Sequence, residues 1–152
     1  MKRFFTILGG IFAFLIIVAV CGFIILDYFG TGLDEESKLY VDSNLPIIIN
    51  DWNVNELFNR ASPELLKVAP KEKIEKLFSV FSDRLGPLRE YKGSSGQVNM
   101  SFTVNNGKVI TALYIANAIF EKAPATIRFQ IIKHKNKWQV LEFRVNSEAL
   151  LP

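Results

Sequence analysis

The chain falls into three stretches by the spacing of its apolar residues. From Phe4 to Leu26 it carries no charge at all, and Phe, Ile, Leu and Val dominate. Between Val41 and Leu85 apolar residues recur at helical spacing, and from Val98 the period changes to two, with apolar and polar residues alternating through Val104. The first stretch, as a helix, spans roughly 34 Å, enough for a hydrocarbon core of about 30 Å. It has no polar stripe, which a helix buried in a soluble core would show. Gly9, Gly10 and Gly22 are compatible with a span, because lipid favours an internally bonded helix whatever the local propensity. Two other fates for this segment have specific signatures. A cleaved signal peptide has a shorter core and a small-x-small cleavage site, for which Gly30 and Gly32 are poor substitutes. A lipidation site would centre on Cys21, but Val20 is too large before a modified cysteine, and Phe23–Leu26 continue the apolar run. A single uncleaved membrane-spanning helix is the expectation.

The second stretch predicts several helices. Asp34 is a candidate N-cap, with acids in the first turn. Val41, Leu45, Ile48, Ile49 and Trp52 form one apolar stripe, in which Pro46 is expected to kink or split the helix near Asp42–Leu45. Asn53 and Glu56 have capping-box spacing. Ser62-Pro63-Glu64 sets a cap, a proline at the first helical position and then an acid, and Pro70 repeats the signal. Ile74, Leu77, Phe78, Phe81 and Leu85 line one face of a helix that Gly86 and Pro87 end.

The third stretch predicts an antiparallel meander of three or four strands, with Leu88–Tyr91 a candidate short extra strand. Asn106-Gly107 signals a two-residue hairpin. That loop pairs Val104 with Val109 and puts Met100, Phe102, Leu113 and Ile115 on the face toward the helices. Ile110, Ala112, Tyr114, Ala116, Ala118 and Phe120 then face outward. The strands Ala125–His134 and Trp138–Ser147 present Ile127, Phe129 and Ile131, and Leu141, Phe143 and Val145. A three-residue turn, Lys135-Asn136-Lys137, is the expectation because it sets Phe129 beside Phe143 and Arg128 near Glu142 and Arg144. A one-residue slip would invert every side chain. Helices first and strands afterwards mean α+β. The implied organisation is a tip, anchor and short linker over residues 1–33, with Asp27–Leu33 as the linker, followed by one domain over residues 34–152.

Charge orients and limits this plan. Lys2 and Arg3 precede the apolar run, while Asp27, Asp34, Glu35 and Glu36 follow it. The N-terminus is therefore expected in the cytoplasm and the C-terminal domain in the periplasm or its equivalent, on the inner (plasma) membrane. The chain has 18 basic and 15 acidic residues; setting aside Lys2, Arg3 and Asp27 leaves 16 and 14 in the domain, well mixed along it. Such a pattern lacks the concentrated basic face of a nucleic-acid binder. Cys21 is the only cysteine and His134 the only histidine. The domain thus has no disulfide, thiol nucleophile or histidine-rich metal site, and no cofactor is implied.

Ala61-Ser62-Pro63-Glu64-Leu65-Leu66, Leu85-Gly86-Pro87-Leu88 with Tyr91, Trp138 with Val140, and Phe143 to Ser147 resemble uncharacterised bacterial membrane-anchored proteins of the cystatin-like, nuclear-transport-factor-2-like superfamily. The resemblance covers about residues 34–152 and implies a cone of three to four helices packed on a curved antiparallel sheet. Its motifs are caps, turns and core positions, so it speaks to fold rather than chemistry. Enzymes of that fold place an acid–base pair inside the cone; here Asn117 and Glu121 are the best inward polar candidates by strand parity, and no catalytic residue is expected. Lys133-His134-Lys135-Asn136-Lys137 reads as a solvated hairpin tip or a contact for anionic headgroups. The outward face, represented by Ile110, Tyr114, Ala116, Ala118 and Phe120, is the candidate binding surface for a second copy of the chain or an envelope protein partner. The functional expectation is a non-enzymatic anchored interaction protein, with a small-ligand-binding or sensing module, its pocket between helices and sheet, as the alternative.

Overall fold

The structure, a computed structural model, describes the backbone of residues 2–152 and the side chains of residues 15–21 and 32–152. It is α+β, with five helices and a four-stranded antiparallel open sheet. The helices are α1 (Lys2–Asn50), α2 (Val54–Phe58), α3 (Pro63–Val68), α4 (Lys71–Leu85) and a 3₁₀ turn (Glu148–Leu150). The strands β1 (Leu88–Thr103), β2 (Gly107–Phe120), β3 (Pro124–His134) and β4 (Lys137–Asn146) lie side by side in chain order. The chain divides into two compact units, Met1–Leu33 and Asp34–Pro152. Among the described residues no helix is long and apolar enough to cross a membrane. Most of the span expected at Phe4–Leu26 lies outside the described side chains; within it, those from Leu15 to Cys21 are all exposed. The backbone of Asp27–Leu33, expected as a linker, belongs to α1.

In the second unit, α1 lies across the sheet. Val41, Leu45, Ile48 and Ile49 are completely buried, and each such side chain contributes about 1.5–3 kcal/mol relative to exposure. Pro46 sits inside α1 without ending it. A proline removes only one backbone donor, and the buried stripe on both sides outweighs that loss. Asp34 is likewise inside α1 rather than at its start; its carboxylate accepts from the Val98 amide at 2.8 Å. The later caps follow the sequence. Asn53 caps α2 through the Asn55 amide, although Glu56 pairs with Arg60 instead of closing a capping box. Ser62 caps α3 through the Leu65 amide, with Pro63 in the first turn. Gly86 ends α4 at φ +76°, a conformation that only glycine adopts freely. Trp52 ties the ends of several elements together. Its indole donates to the Gly86 carbonyl at 2.8 Å, and its ring stacks on Phe120 at 4.9 Å and lies against Phe81 at 5.1 Å.

The sheet differs from expectation in two places, each by a single residue. Thr103 pairs with Gly107, so Val104, Asn105 and Asn106 form a three-residue loop in which Gly107 supplies the positive φ. This moves β2 by an odd number of positions and inverts its faces. Ala112, Tyr114, Ala116, Ala118 and Phe120 are buried beneath the helices, whereas Met100, Phe102 and Ile115 are exposed. The three alanines suit a sheet surface on which a helix lies close. Between β3 and β4 the turn holds two residues, Lys135 and Asn136, both at positive φ, the geometry of a primed hairpin turn. Phe129 still pairs with Phe143, because a β-bulge at Leu141 restores the parity that the shorter turn removes. Trp138 and Val140 are buried before the bulge, with Phe143 and Val145 half-buried beyond it. The sequence Leu88–Tyr91 opens β1 instead of forming a strand of its own.

Both outer strands have edge groups occupied by other parts of the chain. On β4, Val140 donates to the Arg60 carbonyl at 2.7 Å and accepts from the Ser62 amide at 2.8 Å. On β1, the Ser94 and Val98 amides donate to Asp42 and Asp34 of α1.

Candidate functional site

A cleft lies at the helical end of the domain. Short helices α2 and α3, capped by Asn53 and Ser62, border it together with α4 and the end of β4. Between them is a space of about 270 Å³. Leu57, Leu65, Leu77, Phe78, Phe81 and Phe143 supply most of its walls, and Arg144 is the one charged residue lining it. The Arg144 guanidinium reaches Glu142 at 2.7 Å, and Arg128 approaches the same carboxylate at 3.3 Å. α3 buries none of its side chains. Leu66, Val68, Leu77 and Val80, on α3 and α4, are all exposed, so apolar surface continues beyond the cleft. A broader, more open depression lies beside the β2–β3 turn, bordered by Asn117, Pro124, Asn146 and Leu151.

The residues singled out from the sequence are not in the cleft. Tyr114 is 1% exposed, and Ala116, Ala118 and Phe120 are buried with it, while Ile110 is half-buried at the edge of the same face. The Tyr114 hydroxyl lies 2.7 Å from the Ser37 hydroxyl, which itself donates to the Asp34 carbonyl. Burial raises the Tyr114 phenol above its ordinary value, so it stays a neutral hydrogen-bonding group. The expected outward apolar patch is therefore the inner core face, and it offers a second copy of the chain no surface. Asn117 and Glu121 point outward instead, to Thr126 and Arg89. His134 contacts Glu64 of α3 at 2.9 Å. Burial raises the Glu64 carboxyl, but hydrogen bonds from its own amide, His134 and Ser62 together outweigh it and bring the group below the usual range.

A second polar constellation joins α1 to β1. One oxygen of Asp42 accepts from the Tyr91 hydroxyl at 2.7 Å, the Ser94 hydroxyl at 2.6 Å and the Ser94 amide at 3.1 Å. Its other oxygen takes Lys38, which also donates to the Ser94 carbonyl. Burial alone would raise the Asp42 carboxyl; the donors from Lys38, Ser94 and Tyr91 outweigh it and hold the group below the usual range. Burial and the facing carboxylate push the Tyr91 phenol well above its ordinary value. The donors from Tyr91, Ser94 and Lys38 converge on Asp42 and tie α1 to β1 as a clamp.

The clamp has a pH signature. A depressed folded-state value stabilises the fold above the ordinary aspartate range, and that contribution is lost as pH falls through about 4 and below. Asp42→Asn is expected to cost about 1–2 kcal/mol at pH 7 and to flatten the stability profile between about pH 5 and 2. Denaturant titration of the full chain in detergent measures both; parallel profiles would show that Asp42 is not the group responsible. Among the described residues no cluster of three or more His, Cys, Asp and Glu side chains could hold a metal ion. Comparison with protein families, curated proteins and solved structures finds no match to this chain.

Proposed function

We propose that the chain is a non-enzymatic, single-span protein of the inner membrane whose domain binds a polypeptide partner through the α2–α3–α4–β4 cleft. The domain is read as extracytoplasmic and as a cone of the cystatin-like, nuclear-transport-factor-2-like kind. The uncharged run Phe4–Leu26 supports the anchor, and so does the exposure of each described side chain within it, from Leu15 to Cys21. Such a helix, apolar on every side, matches lipid better than water. Lys2 and Arg3 ahead of the run support a cytoplasmic N-terminus. Helices followed by an antiparallel meander support the cone.

The observation that carries the partner is the cleft together with its rim. About 270 Å³ is at the small end for a site that encloses a whole ligand, yet it accommodates one or two large apolar side chains. The exposed Leu66, Val68, Leu77 and Val80 then extend the contact as a partner segment would require. A strand-adding partner is disfavoured, because the edge groups of β1 and β4 named above are already paired. A second reading, a small apolar molecule, is favoured by the aromatic walls Phe78, Phe81 and Phe143.

Photocrosslinking decides between them. A photoactivatable residue at Leu65 in the full-length protein, activated in its own membrane, is expected to yield a polypeptide adduct that Leu77→Arg abolishes. Adducts that Leu77→Arg does not change would remove the cleft as the contact. A small molecule released by solvent from the purified protein, with no polypeptide adduct, would establish the second reading instead.

A further inference from the structure

The β1–β2 hairpin projects past the rest of the sheet. β3 pairs with β2 only as far as Thr111, and the ladder between β1 and β2 continues to Thr103 and Gly107. On this projecting ribbon Met100 and Phe102 stand on the face that α1 covers lower down, and Val104 follows in the loop. Phe102 is 79% exposed, Val104 is fully so, and Met100 is nearly half exposed. A soluble domain gains nothing from a Phe and a Val displayed at a loop tip, and exposed apolar groups gathered in one place mark a contact.

What they contact follows from where the tip lies. The Asp34 carboxylate binds the Val98 amide at the point where the domain begins. Asp42 binds Ser94, farther back along β1, so α1 and β1 run in opposite directions. Six residue steps from Val98 to Val104 therefore carry the tip about 20 Å beyond Asp34, away from the body of the domain. Eight steps separate Asp34 from Leu26, where the uncharged run ends. They cover about 12 Å as helix and no more than about 28 Å fully extended. The hairpin outreaches the helical connection and falls short of the fully extended one, so it meets the surface to which such an anchor leads when residues 27–33 are helical, as they are in α1.

Charge at the same end agrees. Antiparallel pairing brings the β3–β4 turn to the end of the sheet that bears the hairpin. Lys135 lies in that turn and Lys137 follows it, and Lys108 faces Phe102 across the ribbon. None of the three makes an ion pair among the described residues. Of the acids at this end, Asp34 is held by the Val98 amide, Glu36 by Lys133 and Glu64 by His134, and Glu35 is exposed. Apolar side chains at the foremost point with lysines set behind them match a bilayer whose acyl region lies beneath anionic headgroups.

We infer that the Met100–Lys108 hairpin docks on the bilayer that holds the Phe4–Leu26 anchor, with Phe102 and Val104 in the acyl–headgroup boundary and Lys108, Lys135 and Lys137 on anionic headgroups. This rests on the anchored reading above. Docking makes a second attachment, which fixes the tilt of the domain over the membrane and sets the height at which the cleft is presented.

The test uses the full-length protein with Cys21→Ser, so that one introduced cysteine carries an environment-sensitive fluorophore. Labels are placed separately at Phe102→Cys, at Leu15→Cys within the anchor and at Lys76→Cys on exposed α4. Each protein is reconstituted into vesicles of phosphatidylcholine and phosphatidylglycerol that contain lipids brominated along the acyl chain. The labels at 102 and 15 are expected to lose most of their emission, and the label at 76 none. Changing Lys108, Lys135 and Lys137 to glutamine is expected to lower the docking equilibrium constant on anionic vesicles by about fivefold per lysine, read as reduced quenching at 102. Quenching at 15 without quenching at 102 overturns the docking and leaves the anchor intact. Loss of quenching at both positions means that the anchor itself has failed, and the docking fails with it. A label at 102 that is shielded from water but untouched by bromine would assign the tip to a protein and also overturn it.

Discussion

Replacing Tyr114 with glutamate unfolds the domain. The ring is 1% exposed and lies between α1 and β3, opposite Phe129 in the ladder. Losing a buried aromatic costs about 3–5 kcal/mol by itself. Burying a carboxylate in its place, with only the Ser37 hydroxyl and the Asp34 carbonyl nearby, adds several more. Small domains hold about 5–15 kcal/mol in all, so little or nothing remains. Tyr114→Phe keeps the ring and removes one hydrogen bond, for about 1 kcal/mol. Ser37 still donates to the Asp34 carbonyl, which limits the loss. Limited proteolysis and thermal melting of the full chain read both variants. If Tyr114→Glu melts like the parent, the side chain faces water and the three-residue loop at Val104–Asn106 is wrong.

The glycine opposite Tyr114 gives the next largest effect. Gly96 pairs with Tyr114, and a Cβ there would stand 2.0 Å from the Leu113 carbonyl oxygen and 2.7 Å from the Tyr114 Cα. Both neighbours are backbone, so no rotamer change relieves the clash, and the ladder must open. Gly96→Ala is expected to cost about 3 kcal/mol or more, above the usual range for overpacking. Gly93, three residues earlier at φ +88°, is a control of another kind. Its Cβ would meet nothing within 4 Å, so Gly93→Ala is expected to cost only the about 1–2 kcal/mol of a left-handed residue. Equal losses at the two positions in denaturant titrations would mean that the close approach at Gly96 is not real.

The contrast between loop and helix signals explains what the sequence disclosed. Caps and stops are local, and Ser62-Pro63, Asn53 and Gly86 acted where their chemistry placed them. The α1 stripe was legible because Val41, Leu45, Ile48 and Ile49 share one face whatever happens elsewhere. Strand faces depend on a count. Asn106-Gly107 has the composition of a two-residue turn, yet Gly107 alone takes the positive φ and Asn106 belongs to a longer loop. One residue of loop length then decided whether Tyr114 was surface or core. Alternation could not arbitrate, because Val109, Leu113 and Ile115 on one side of β2 are as apolar as Ile110, Tyr114 and Phe120 on the other. Between β3 and β4 the Phe129–Phe143 partnership was right for a different reason, since a bulge at Leu141 did what loop length was expected to do. The cleft left no trace in spacing. Its walls come from elements far apart in the chain, and Leu57, Phe78 and Phe143 read simply as core.

The groups that occupy the edges of the sheet also come first in time. Asp34 and Asp42 precede β1, and Arg60–Ser62 precedes β4, so a ribosome releases each cap before the strand whose amides it takes. Synthesis proceeds at about 5–20 residues per second, whereas a hairpin closes in about 1–10 μs. Both capping carboxylates of β1 are therefore already present when that strand can first pair. Order of synthesis thus favours pairing of these named amides within the chain over pairing with another chain.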